Sequence, residues 1–198
     1  VGAHPVDVTD YAALLARLAD VDAVVHLAAV NSPDGRDVET NNQAGTENVV
    51  RACIELGIRR LVQASSVNAI GMAFSQSPQF DYFPIDTEHA ARPEDPYSRS
   101  KLHMEQLAAQ ACAEHPEFTV VSLRLHAVMA DAAAARNQQA RSGDGWAIKG
   151  LWGYCTFESA LSAVELACVV PVSGHEVLLV AEPTTFSPTR SARLAREH

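Results

Sequence analysis

The sequence predicts an α/β fold in which a parallel sheet is covered by helices, and three observations carry that reading. Short apolar runs alternate with longer amphipathic stretches, which is the rhythm of strands joined by crossover helices. The runs are valine-, leucine- and alanine-rich at successive positions, with little polar alternation, as in strands buried on both faces. The amphipathic stretches begin at helix-capping residues and end at Gly or Pro.

Taken in chain order, Asp10 caps a first helix carrying Tyr11, Leu14, Leu15 and Leu18, and residues 23–29 (AVVHLAA) form the first strand. Residues 42–56 form a helix with Val49, Val50, Cys53 and Leu56 on its apolar side, stopped by Gly57. A strand over 61–65 follows, and then Asp95-Pro96, a cap residue with proline at the first helical position, opens a helix through Met104, Leu107, Ala108 and Ala111 that ends before Pro116. Strands at 119–125 and 176–181 flank a helix at about 158–170, residues 130–135 are a loop or a helix start, and residues 191–198 read as the first turns of a helix. With 198 residues the chain fits one domain, 1–126 holding the sheet core and 127–198 a small segment beside it. Both ends read as cut, the chain entering almost at once into Asp7-Val8.

Composition narrows the function. The chain is 47% hydrophobic and 20% charged with a net charge of −9, spread along its length, which disfavours nucleic acid or an anionic membrane as partner. No apolar run approaches the ~18 residues of a membrane span, so a cytoplasmic protein is expected. The cysteines, Cys53, Cys112, Cys155 and Cys168, are widely separated singles and the histidines lack ligand spacing, so no metal is expected.

The residues that suggest chemistry are Tyr97 and Lys101. Their spacing places phenol and ammonium on one helical face, in line with Met104 and Ala108 at the margin of the buried side. A cation beside the phenol favours phenolate, and a tyrosine so tuned serves as a general acid or base. Alone, such a pair commonly decorates a solvated helix. Ser65 and Ser66, however, end an apolar strand and run into Val67-Asn68-Ala69-Ile70-Gly71, offering a hydroxyl at the carboxyl edge of the sheet, where open α/β folds bind ligands. The bland alternative for the serines is a simple strand-end cap.

Together these residues resemble the extended short-chain dehydrogenases/reductases, the NAD-dependent epimerase/dehydratase family. Asp7-Val8, Asp22 with Val24 to Ala29, Asn42 with Gly45-Thr46 and Asn48, Ser65-Ser66 with Gly71, Tyr97 to Lys101, and Leu123-Arg124-Leu125 occur in that family's order over nearly the whole chain. The resemblance implies a Rossmann-like doubly wound parallel sheet flanked by helices, with the first βαβ portion missing and a small C-terminal substrate segment. It implies NAD or NADP as cofactor: Asp7 and Val8 at the adenine, Leu27, Ala28 and Ala29 along the diphosphate and ribose, Asn42 at the start of its helix, Ser65 beside the site, and Leu125 and His126 flanking the nicotinamide. Lys101 would bind the nicotinamide ribose and tune Tyr97, the acid/base, while Ser66 and Tyr97, with Asn68, would meet the substrate.

The expected activity is hydride transfer between a nicotinamide cofactor and a hydroxyl or carbonyl carbon of a small sugar, sugar acid or related alcohol. A sugar epimerase and a non-catalytic binding module are the alternatives. The family's Gly-rich phosphate turn and the residue that reads the ribose are not in this sequence, so NAD and NADP are not distinguished. Val67 and Asn68 stand where sugar dehydratases carry an acid pair, which disfavours dehydration, and the Ser65 to Gly71 segment is similar to that of uronate dehydrogenases. Arg136, Arg141 and Lys149 are candidate partners for a substrate carboxylate, and Phe74, Phe80, Tyr82 and Phe83 for an apolar rim. The resemblance also implies a homodimer paired through helices 42–56 and 97–113.

Overall fold

The computed structural model describes residues 5–35 and 37–197. Chain order begins with α1 (Tyr11–Leu18), β1 (Ala23–His26), α2 (Val38–Glu55) and β2 (Arg60–Ser66). A 3-10 turn, Val67–Ile70, leads through a long loop to α3 (Pro96–Glu114) and β3 (Thr119–Leu125). Next come β4 (Val128–Met129), α4 (Ala132–Ser142), α5 (Asp144–Lys149), β5 (Cys155–Thr156), α6 (Phe157–Val169), β6 (His175–Val180) and α7 (Ser191–Glu197).

Four strands form a parallel sheet in the order β1-β2-β3-β6, and β4 and β5 make a separate short parallel pair. Parallel register, Arg60 opposite Thr119 through Ser66 opposite Leu125, brings every carboxyl end to the same edge. Alternate residues of a strand point to opposite faces. Leu61 and Val120 pack under Val49 and Cys53 of α2 and Ala108 and Cys112 of α3, whereas Val62, Val121 and Leu123 pack against Ala163, Val164 and Ala167 of α6. The sheet is therefore doubly wound, and its valine-rich strands are apolar at successive positions because both faces are covered.

The predicted elements are present, with informative shifts. β1 ends at His26 rather than at residue 29: it parts from β2 just before Ala28 and Ala29, and Leu27 is exposed there. α2 begins at Val38, so Asn42 lies inside the helix and not at its start. Its first turn is polar apart from the buried Val38, and Asp37 before it makes no side-chain cap, which leaves little start signal. α3 opens as expected, Asp95 accepting from the Ser98 backbone N–H at 2.9 Å. Residues 130–135 prove to contain a helix start, with Asp131 accepting from the Ala134 N–H at 2.7 Å. Residue 198, the end of the last predicted helix, lies outside the described residues. α5, six residues between Gly143 and Gly150, had no periodic signal to read.

Among the described residues no helix is long and apolar enough to cross a membrane, and no group of three or more His, Cys, Asp or Glu could hold a metal ion. All four cysteines are free.

Candidate active site

The carboxyl edge of the sheet delivers the site. Ser66 ends β2 in extended conformation and its Oγ accepts from the Asn68 N–H at 3.1 Å, turning the chain into the 3-10 turn. That turn closes at Gly71 with φ 88°, where a Cβ would strike the Arg92 carbonyl, so glycine is required by conformation and by space. From the first turns of α3 come Tyr97 and Lys101, 8% and 2% exposed. The Ser66 side chain acts on the Tyr97 phenol in the direction that favours its ionised form. Lys101 Nζ donates to the Ala64 carbonyl at 2.6 Å and lies 5.6 Å from the centre of the Tyr97 ring. All three groups line one cavity of about 430 Å³.

Burial dominates the electrostatics of this cavity. It raises the Tyr97 pKa above the ordinary phenol value, the Ser66 side chain opposes this and the Asp95 charge adds to it. The expectation that Lys101 favours phenolate is therefore corrected for the free protein: the ammonium is turned to the Ala64 carbonyl and does not offset burial. Lys101 itself is lowered to about 8 by burial, against the upward pull of the Glu105 carboxylate one helical turn away. His126, on the cavity wall, and His26, beside Thr46, are both lowered to about 4, chiefly by burial. The His126 ring occupies the space that a side chain at Gly153 would fill, a Cβ there falling 2.6 Å from its Cε1.

These two imidazoles predict an acid limb in stability. An unfolded histidine takes up its proton near pH 6.5, whereas the folded one resists until about 4, so stability is full above 6.5 and falls as the pH drops toward 4. Each shift corresponds to at most about 3 kcal/mol. Urea unfolding across this range should show the decline, and His126→Phe should make it shallower; an identical slope would remove His126 from the account.

The predicted cofactor and substrate residues line two cavities. Leu27, Ala29, Ser65, Ser66, Asn68, Tyr97, Lys101, Leu125 and His126 line the first. Asp7, Val8, Ala28 and Asn42 line a second, of about 420 Å³, and Ala29 lines both. Three of the expected side chains are engaged by the protein itself. Asn42 accepts from the Val30 N–H at 2.8 Å and donates to the Val30 carbonyl at 3.1 Å and to Ser100 Oγ at 3.0 Å. Asp7 accepts from the Thr9 N–H and hydroxyl, which holds its carboxyl below the usual range. Ser65 turns away from Ser66 and donates to Glu105 Oε1 at 2.5 Å.

Glu105 anchors a buried network behind the site. Arg124 Nε and Nη2 donate to its two oxygens at 3.0 and 2.8 Å, and Arg124 Nη1 donates to the Thr87 carbonyl at 3.0 Å. One ion pair thus ties α3, the end of β3 and the long loop to the carboxyl end of β2.

The candidate cations do different work from that expected. Lys149 Nζ donates to the Ser75 carbonyl at 2.7 Å, Arg136 Nη1 to the Phe186 carbonyl at 3.2 Å, and Arg141 Nη2 to Gln138 Oε1 at 2.9 Å. None of the three lines the cavity. Of the loop aromatics only Phe74 does; its N–H is held by Asn68 Oδ1 at 3.1 Å and its ring meets Tyr97 edge-on at 5.4 Å. Phe80 and Phe83 instead line a separate apolar hollow against α5 and α7, and Tyr82 is exposed. Sequence reasoning missed Asn31, Met129, Trp146 and Phe186 on the cavity wall. They sit in a loop and in short elements without periodicity, and the two large aromatics in a polar stretch were the single hint.

A model of the NAD dependent epimerase/dehydratase family matches residues 2–142. The chain belongs to this family. A 3 beta-hydroxysteroid dehydrogenase type 7 from Rattus norvegicus is 33% identical over 109 residues, 53% of this chain and 32% of that protein. UDP-glucose 4-epimerase 2 from Oryza sativa subsp. japonica is 31% identical over 129 residues, 61% of this chain and 30% of that protein. The matches thus span about a third of these curated relatives. Among solved structures, uronate dehydrogenase from Agrobacterium tumefaciens superimposes with a TM-score of 0.74 at 20% identity, covering 99% of this chain and 69% of that one, a likeness of fold. As a member of the epimerase/dehydratase family the chain has the Rossmann-like α/β sheet that its own strand order displays.

Proposed function

We propose that the chain carries the catalytic groups of an NAD(P)-dependent oxidoreductase that interconverts an alcohol and a carbonyl on a small sugar, sugar acid or related alcohol. The observation that carries this reading is that the Tyr97 phenol, the Ser66 hydroxyl and the buried Lys101 ammonium line one cavity at the carboxyl edge of the sheet. A dinucleotide suits the two cavities, which share the small side chain of Ala29 on their walls. Asp7 and Val8 would lie at its adenine end, Leu125 and His126 at the nicotinamide, and Lys101 at the nicotinamide ribose. NAD rather than NADP is favoured by the family's own designation.

When bound, the nicotinamide gives or takes the hydride. The chain's part is to position the substrate and move a proton. Ser66 Oγ holds the reacting oxygen, and Tyr97, a phenol in the free protein, delivers a proton to a carbonyl oxygen during reduction or must first lose its own to accept one during oxidation. Asn68 stands beside them at the substrate. A homodimer formed through α2 and α3, and a reducing compartment such as the cytoplasm that suits four free thiols, complete the proposal.

The test is net production of reduced nicotinamide from NAD or NADP by the whole protein with a panel of alcohols and sugars. Stoichiometric release of a ketone, lactone or related carbonyl product supports a dehydrogenase. Interconversion of sugars with no net reduction would overturn it in favour of an epimerase.

A further inference from the structure

We propose that the substrate is an uncharged, ring-shaped hydroxylated molecule of the aldose type, seated against the Trp146–Phe186 pair and met by the carboxamides of Asn31 and Asn68, and not a sugar acid or phosphate ester. This rests on the oxidoreductase reading of the same cavity and narrows it.

Three observations converge. The first is the apolar wall: Trp146 stacks on Phe186, ring centres 5.8 Å apart and planes 21° from parallel, and both line the cavity with Phe74. Stacking and the Arg136 bond to the Phe186 carbonyl fix that wall in place. A fixed aromatic surface takes the C–H face of a sugar ring and gains nothing from an anionic group.

The second is the kind of polar group offered. Asn68 spends its Oδ1 on the Phe74 N–H, which leaves its amide N–H groups as donors, and Asn31 stands at the exposed mouth of the cavity. A carboxamide matches hydroxyls in either sense. His126, kept neutral by burial, adds no charge.

The third is where the cations are. Among the described residues the one ammonium or guanidinium lining the cavity is that of Lys101, bonded to the Ala64 carbonyl beside Tyr97. Arg136, Arg141 and Lys149 do not line it, and each already donates to a protein oxygen, those of Phe186, Gln138 and Ser75, the first two on residues of the cavity wall. A carboxylate or phosphate taken out of water there would find no partner at the substrate end, and an unpaired buried anion is costly. Size agrees: about 430 Å³ lies toward the low end of the ~300–1,000 Å³ of small-molecule sites, and the nicotinamide shares it.

The whole protein should be given glucose, galactose and mannose alongside their uronates and phosphate esters, with turnover read from reduced nicotinamide and binding from quenching of tryptophan fluorescence. At least one aldose should exceed its own uronate and phosphate ester at least tenfold in kcat/KM and in affinity. Trp146→Ala should raise KM for that aldose at least tenfold with a smaller effect on kcat. A uronate or phosphate ester that is bound and turned over as well as its aldose overturns the proposal, as does a complete absence of aldose binding. Turnover confined to non-sugar alcohols would sink the substrate class while leaving the oxidoreductase intact. Selective aldose binding without any hydride transfer would do the reverse. The comparison of ligands uses the unaltered protein, so it stands even if the Trp146 variant fails to fold.

Discussion

Tyr97→Phe is expected to lower kcat by about 10²- to 10⁴-fold, the range spanned by a positioned proton donor, while the protein stays folded. The change deletes one oxygen and with it the polar interaction with Ser66, a loss to stability of at most about 1 kcal/mol. The ring keeps its edge contact with Phe74. The pH dependence gives a second signature. With its pKa raised by burial, Tyr97 is protonated throughout the neutral range, so proton delivery in reduction is flat there. In oxidation the phenol must first give up its proton, so the rate rises with pH. The variant should lose that rise. Steady-state kinetics in both directions together with thermal unfolding would check this; turnover within threefold of the parent would remove Tyr97 from the acid/base role.

Glu105→Gln should destabilise the protein by about 3–5 kcal/mol, the usual consequence of leaving a buried charge without its partner. Arg124 and Glu105 side chains are 7% and 5% exposed, and the guanidinium cannot neutralise itself by losing a proton. Replacing both members, Glu105→Leu with Arg124→Met, should recover much of the loss, because the pair's attraction is largely offset by the desolvation of its two charges. Denaturant unfolding of the single and double variants forms the cycle, and a single variant within 1 kcal/mol of the parent would contradict it. Activity carries a separate mark. Glu105 is the carboxylate that holds the Lys101 pKa up, so the glutamine variant should shed the Lys101 proton at lower pH than the parent does at about 8. A purely structural role would not move that limb.

Much of this architecture was legible because local rules and tertiary packing agree. Val24, Leu61, Val62, Val120 and Val121 read as strand because both faces are covered, and α3 announced itself through Asp95 and Pro96, whose cap geometry is present. The grouping of Tyr97, Lys101 and Ser66 at one cavity was legible for a similar reason: helical spacing joins Tyr97 to Lys101, and a strand end presents Ser66. The far wall was opaque. Phe186 reaches the cavity from a stretch with no repeating pattern, and Trp146 from a helix of six residues. Side-chain direction was equally hidden. Ser65 and Ser66 are neighbours in the chain, yet alternation sends one hydroxyl to Glu105 and the other to the cavity, and spacing alone cannot say that Lys149 ends on a carbonyl rather than on a ligand.

The Asn42 carboxamide has a thermodynamic corollary. By holding both backbone polar groups of Val30 while reaching across to Ser100 on α3, it makes the segment after β1 part of the folded framework. Ordering that stretch is then completed when the chain folds and not when a guest arrives, so less conformational entropy is lost on association. On the proposed reading, Ala28 and Ala29 would meet an incoming dinucleotide as a ready-made surface.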